Sequence, residues 1–257
     1  MIGRRKALAA LGTVGLGSLL AACSGDGNGS GAATTTAEVP TTSGTTATVQ
    51  PQTSTGAAAK SLLGEASTCT LTTELTEGPY YFDVDAIRSD IREDRPGTLL
   101  RLALRVQTAT TCEPISNAVV DLWHCDAGGI YSGFESASQG RGGGGGRTDE
   151  ETYLRGAQVT NADGIVEFAT IYPGWYRGRT THIHLKVHLD KATLLTSQLF
   201  FDEAVNSAVY AKAPYSSHSG RETFNDGDNI FQQSLLVTTR QDGDAWLAAL
   251  NLSVKSA

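Results

Sequence analysis

From about residue 68 to the C-terminus the chain is a series of short runs in which apolar and polar positions alternate, each closed by a turn signal. Leu99–Val106 alternates apolar residues with Arg101 and Arg105, and Ala118–Trp123 is rich in β-branched side chains. Gly164–Thr170 follows the turn Asn161-Ala162-Asp163-Gly164, and His182–Leu189 alternates again. Period two is the mark of strands with one face buried. Helical spacing is weak, except that Trp246, Leu247 and Leu250 predict a short helix over Asp242–Leu250. No repeat of fixed period occurs, which argues against solenoids and propellers. The pattern predicts an all-β fold: a two-sheet β-sandwich, antiparallel or mixed, with long loops and few short helices.

Upstream the alternation is missing. Residues 1–23 carry a basic start (Arg4, Arg5, Lys6), a short apolar stretch and small residues ending at Cys23, the layout of an export signal. Leu20-Ala21-Ala22-Cys23 resembles the bacterial lipoprotein box, which implies a lipid on Cys23 and an anchor in the cell membrane, outside the cytoplasm. An ordinary cleaved signal is the competing reading, and Arg4-Arg5 leaves Sec and twin-arginine export both open. Residues 24–66, dominated by Ser, Thr, Gly and Ala, predict a flexible stalk, since such a segment cannot offset its ordering entropy by burial. Residues 67–257 form the folded domain.

Composition narrows the classes further. The chain has 257 residues, 40% of them apolar, enough for a sizeable core. Its 29 glycines and single methionine argue against a helical bundle. A formal charge of -7 offers no footprint for a phosphate backbone, so nucleic acid is not an expected partner. No long apolar stretch follows the leader, which excludes several membrane spans. With Cys23 lipidated, three cysteines remain in an oxidising compartment. Cys69 and Cys112 sit in polar, turn-like surroundings while Cys125 ends an apolar run, so Cys69–Cys112 is the expected disulfide and three free thiols the alternative. The pentaglycine run Gly142–Gly146, flanked by Arg141 and Arg147, predicts a mobile loop; it has neither the ending nor the context of a phosphate loop.

The sharpest chemical signal is Thr181-His182-Ile183-His184 inside an alternating strand. Residues two apart share a face, so both imidazoles can meet one metal ion while Ile183 points into the opposite layer. Tyr176, six residues before His182, can reach the same centre from its loop. A second tyrosine, Tyr131, follows the strand that ends near Cys125.

Several ordered motifs then accumulate: Glu77-Gly78-Pro79-Tyr80-Tyr81, Arg88-x-Asp90-Ile91-Arg92, Val120-Asp121-Leu122-Trp123-His124-Cys125-Asp126, Tyr131-Ser132, Tyr172-Pro173-Gly174-Trp175-Tyr176 and Arg179-x-x-His182-Ile183-His184. Over Thr76–Phe201 the sequence resembles the intradiol ring-cleavage dioxygenases, non-haem ferric enzymes that open catechols between their hydroxyls. The resemblance implies Tyr131, Tyr176, His182 and His184 as ligands of Fe(III), with Tyr176 the ligand a catechol displaces. It implies that Arg179 stabilises developing negative charge and that Gln198 hydrogen-bonds the substrate. The implied reaction consumes O2 and gives a cis,cis-muconate-type diacid. The donor types agree with this, because hard Fe(III) favours anionic oxygen, whereas zinc more often takes His, Cys and carboxylate. His124, Trp123 and Trp175 are read as structural.

Two features depart from the family. A low-complexity stretch replaces the helical N-terminal segment through which cytoplasmic members dimerise, so a homodimer stays open. No dedicated arginine for a substrate carboxylate is identifiable, though Arg141 and Arg147 flank the glycine loop. The competing reading is a non-catalytic, cell-surface transthyretin-like β-sandwich binding module, because Asn117-Ala118-Val119-Val120-Asp121 and Asp163-Gly164-x-Val166-x-Phe168 also resemble such domains. A member of the family that kept the metal and changed its reaction is a third.

Overall fold

The computed structural model describes residues 37–40, 46–49, 56–66, 69–84, 86–139, 146–190 and 192–255, the first two stretches as backbone alone. The leader, Cys23, most of the expected stalk, Arg141 and the glycines before Gly146 lie outside the described residues. The described elements belong to one compact unit, 34–257. In chain order they are β1 (Ala37–Pro40), β2 (Thr46–Val49), α1 (Ala57–Glu65), β3 (Leu99–Thr108), β4 (Val119–Trp123), α2 (Glu135–Ser138), β5 (Arg155–Val159), β6 (Ile165–Ile171), β7 (His182–Leu189), β8 (Ala192–Phe200), α3 (Glu203–Tyr210), β9 (Thr238–Asp242) and β10 (Ala245–Val254).

Two four-stranded sheets, ordered β6-β3-β10-β9 and β5-β4-β7-β8, make the predicted sandwich. It is mixed, since β3 and β10 run parallel and the other pairs within the two sheets run antiparallel. Alternation decides which side chains enter the core. Leu100, Leu102, Leu104 and Val106 of β3 join Ile183, Leu185 and Val187 of β7 in one buried cluster. The intervening residues of β7, His182, His184, Lys186 and His188, therefore stand on the outer face of their sheet.

The outer face of the other sheet is covered by α1. Its Ala59, Leu62 and Leu63 pack on Ala103, Ile165, Leu247 and Ala249. This corrects the predicted extent of the stalk, whose final residues are a docked helix. Leu62 and Leu63 are the large apolar side chains in that stretch, and they find a sheet face to cover.

The helix predicted over Asp242–Leu250 is also corrected: these residues form the β9–β10 hairpin, turning at Gly243 with φ +61. Ala248, Leu250 and Leu252 enter the main core while Leu247 and Ala249 meet α1. A strand buried on both faces reads as an unbroken apolar run, and its period is lost.

Cys69 and Cys112 are disulfide-bonded with Cα atoms 5.4 Å apart, and Cys125 is a buried free thiol. After the bridge the chain straps both sheets together. Thr72 exchanges hydrogen bonds with Ser253 of β10, and Leu75 N then donates to Thr196 O of β8. Thr76 and Gly78 are thereby carried to the outer face of β7.

Candidate metal centre

The strand registers set one row across the second sheet. Arg155 pairs with Trp123, Trp123 with His184, and His184 with Gln198. Directly opposed residues share a face, so these side chains share the outer face with His182. Trp123 stacks on His184, with ring centroids 5.0 Å apart and planes inclined by 10°. Gly78 closes on the other edge of His184: a Cβ built there would lie 3.0 Å from its Cε1.

The tyrosines arrive on two loops that touch. Asp126 Oδ1 accepts from Gly128 N and Ile130 N and so turns the chain after β4. Gly129, at φ +83, takes a conformation open to glycine and presses on the next loop, where a Cβ would run into the Trp175 carbonyl. Tyr131 is completely buried, with Tyr80 packed on its ring at 4.8 Å. Arg155 grips the neighbouring residue, donating to Ser132 Oγ at 2.9 Å and Ser132 O at 2.8 Å. Tyr176, part-buried, comes from the loop between β6 and β7.

Four atoms converge. Around His182 Nε2 lie Tyr176 Oη at 3.1 Å, His184 Nε2 at 3.1 Å and Tyr131 Oη at 3.3 Å. The ring orientation of His182 follows from its other nitrogen, which lies 2.6 Å from Thr180 O. A carbonyl only accepts, so Nδ1 carries the proton and Nε2 presents a lone pair to the cluster. Burial holds the His182 pKa down, to about 3, and pushes that of His184 well below its ordinary value; neighbouring Arg179 and, for His184, His182 add to this. Both imidazoles are neutral at pH 7. Burial above all, then the Tyr176 phenol beside it, pushes the Tyr131 phenol well up, and burial does the same to Tyr176. Without a cation these phenols keep their protons.

The donor set fits a hard trivalent metal. Two phenol oxygens supply the anionic donors that Fe(III) favours, and a bound cation reverses the burial effect that otherwise keeps them protonated. His184 Nδ1 is buried with no hydrogen-bond partner among the described residues, while Nε2 lies 3.1 Å from the His182 Nε2 lone pair; without a metal the proton therefore sits on Nε2, and a cation bound there would shift it to Nδ1. No group of three His, Cys, Asp or Glu side chains among the described residues makes a metal site; tyrosine oxygens are needed to complete one.

Arg179 and Gln198 border the same cluster. Arg179 Nη1 lies 3.4 Å from His182 Nε2, and Nη2 donates to Gln198 Oε1 at 2.5 Å. Gln198 Nε2 donates in turn to Thr76 O at 2.9 Å, so its amide is fixed at both ends. Arg147 stands elsewhere, over the Phe82 ring at 4.1 Å and ion-paired with Glu150. His124 is buried outside the cluster, with Cys125 O and Thr170 Oγ1 each 2.7 Å from a ring nitrogen. Three participants had no role assigned from the sequence, although Gly78 stands in one of its motifs. Thr180 acts through its carbonyl and Gly78 through the lack of a side chain, neither of which residue type announces. Asp228, which ion-pairs with Arg179 at 2.9 Å, is distant along the chain and belongs to no motif.

Fold and cluster together describe a β-sandwich with a candidate iron centre on the outer face of one sheet. A family model described as "Dioxygenase" matches residues 76–218. The solved intradiol ring-cleavage dioxygenase of Tetranychus urticae is 36% identical with a TM-score of 0.68, over 73% of this chain and 95% of that one. The dioxygenase domain of a dioxygenase carbohydrate-binding protein fusion from Streptomyces sp. SirexAA-E is 28% identical with a TM-score of 0.55, over 73% of this chain and 99% of that one. A chlorocatechol 1,2-dioxygenase of Rhodococcus opacus is 30% identical over 131 residues, 44% of this chain and 47% of that protein. The chain belongs to the intradiol ring-cleavage dioxygenase family. It spans between 30% and 60% of the length of the curated relatives it matches.

Proposed function

We propose that this chain is a non-haem, Fe(III)-dependent intradiol dioxygenase that opens catechol-type aromatic diols with O2 to cis,cis-muconate-type diacids. The observation that carries the reading is the meeting of two phenol oxygens and a second imidazole nitrogen within 3.3 Å of His182 Nε2, whose lone pair is aimed inward by the Thr180 carbonyl. Tyr131, Tyr176, His182 and His184 would hold the iron. When bound, the metal supplies Lewis acidity toward the diol oxygens and accepts electron density from the ring.

The protein supplies orientation, charge and dryness. Tyr131, His182 and His184 are buried, so bulk water does not compete at their donor atoms. Tyr176 is the more exposed phenol and sits on a loop, which suits it to yield its place to an incoming diol and to take one of the diol's protons on Oη. Arg179 fixes a positive charge beside the cluster, where negative charge develops on the substrate; preorganised charge in a dry site is among the larger contributions to catalysis. Gln198 flanks Arg179, and its Oε1 retains a second lone pair for a diol hydroxyl.

Iron-loaded protein is expected to be red to purple through tyrosinate-to-Fe(III) charge transfer, with Tyr176→Phe or His182→Ala removing most of the band. A colourless sample with full iron content would end the proposal. Oxygen uptake across a panel of catechols then identifies the substrate.

The same reading assigns residues 1–23 to an export signal, residues 24–66, apart from the docked helix α1, to a stalk and residues 67–257 to the catalytic domain, lipid-anchored outside the cytoplasm through Cys23. The lipobox-like Leu20-Ala21-Ala22-Cys23 and a disulfide, which persists in oxidising compartments, support it.

A further inference from the structure

Asp228 follows the short 3-10 turn Asn225–Gly227, and its side chain is 2% exposed. Oδ2 accepts from both Arg179 Nε and Thr180 N at 2.9 Å, and Oδ1 accepts from Ile230 N at 2.8 Å. All three partners are donors. Burial pushes the carboxyl pKa up, but the Ile230 and Thr180 N–H groups and the Arg179 cation more than offset it, so Asp228 is ionised.

The two partners in residues 179 and 180 are the ones that reach the candidate metal centre. A guanidinium is planar, so holding Nε on one edge fixes where Nη1 and Nη2 point. They point toward His182 Nε2 and Gln198 Oε1. Thr180, held by its N–H, offers its carbonyl to His182 Nδ1–H at 2.6 Å. Its hydroxyl is held separately, donating to Asn225 Oδ1 at 2.7 Å and accepting from Arg221 Nη2 at 3.1 Å. One carboxylate oxygen thus stands behind both a cation of the site and the tautomer of a candidate ligand.

We infer that Asp228 is a positioning residue that aims Arg179 and, through the Thr180 carbonyl, His182 into the centre. Its effect on turnover rests on the ring-cleavage reading; its geometry does not. Asparagine has nearly the same shape but must turn an NH2 group toward at least one of the three N–H donors, so Asp228→Asn breaks the clamp without opening a cavity.

The test has two arms. In 15N-edited spectra of the metal-free protein, Arg179 Nε–H and His182 Nδ1–H should be slowly exchanging resonances, assigned by their loss in Arg179→Lys and His182→Gln. Asp228→Asn should abolish the Arg179 signal and move the His182 one. If that variant does not fold, the wild type still decides, because a rapidly exchanging Arg179 Nε–H overturns the inference. In iron-loaded enzyme Asp228→Asn should lower kcat about 10- to 100-fold, the usual range for outer-shell partners of a metal site, with a smaller change in KM. The same substitution should cost far less in an Arg179→Lys background. Equal losses in both backgrounds would mean a merely structural residue. An enzyme without catechol activity would sink the ring-cleavage reading while leaving the exchange arm intact.

Discussion

His124 shows how burial of one residue sets a pH response. It is completely buried, and Cys125 O fixes its proton on Nδ1 while Thr170 supplies a hydroxyl to Nε2. Burial pushes its pKa down from 6.5 to about 4, partly opposed by the bond to Cys125 O. Between those values the unfolded chain binds the proton and the folded one does not. The stability His124 contributes is therefore complete above pH 6.5, falls with pH, and is lost near pH 4. A shift of that size corresponds to about 3 kcal/mol. In metal-free protein His182 acts in the same direction, whereas Asp121, pushed up to about 6 mainly by burial, acts in the opposite one. Denaturant midpoints at pH 7.5 and 4.5 check this: His124→Asn should lose less between the two than the wild type, and an equal loss would refute it.

Among the elements, α1 and β7 divide the two outer faces of the sandwich between them. α1 covers the sheet containing β3 and β10, and β7 presents His182 and His184 from the outer face of the other sheet. Leu63 of α1 is completely buried against that sheet, and Leu63→Ala should cost about 2 to 5 kcal/mol. The loss belongs to packing on the far side of the core. A two-state denaturation curve should shift by that amount while the charge-transfer band of iron-loaded protein stays in place; a shift below about 1 kcal/mol would mean α1 is not docked. The same elements explain which strands were legible. β7 reads cleanly because one face is core and the other is a site of histidines and lysine. β10 does not, because α1 makes its second face apolar as well.

For the molecule as a whole, the proposed tether is a claim about residues before the sandwich. Metabolic labelling with a fatty acid should mark the full-length protein and be lost in Cys23→Ala; label that persists in the variant would refute an anchor at Cys23. Composition alone suggests a stalk ahead of a folded domain, since Ser, Thr, Gly and Ala cannot drive burial. The docking of α1 was not legible there, because its two leucines gain their partner only from a sheet formed by residues far along the chain.

The sequence by itself determined the alternation of the strands, the pairing of His182 with His184 on one face, and the residue types of the donor set. Those are local facts, written in periods of two and in the chemistry of single side chains. Only the tertiary structure decided how closely Tyr131 and Tyr176, which the family motifs had named, approach those imidazoles, that Thr180 fixes a tautomer, and that Asp228 stands behind Arg179. These depend on where loops of different strands meet, and a contact between distant backbone atoms leaves no pattern in the order of residues.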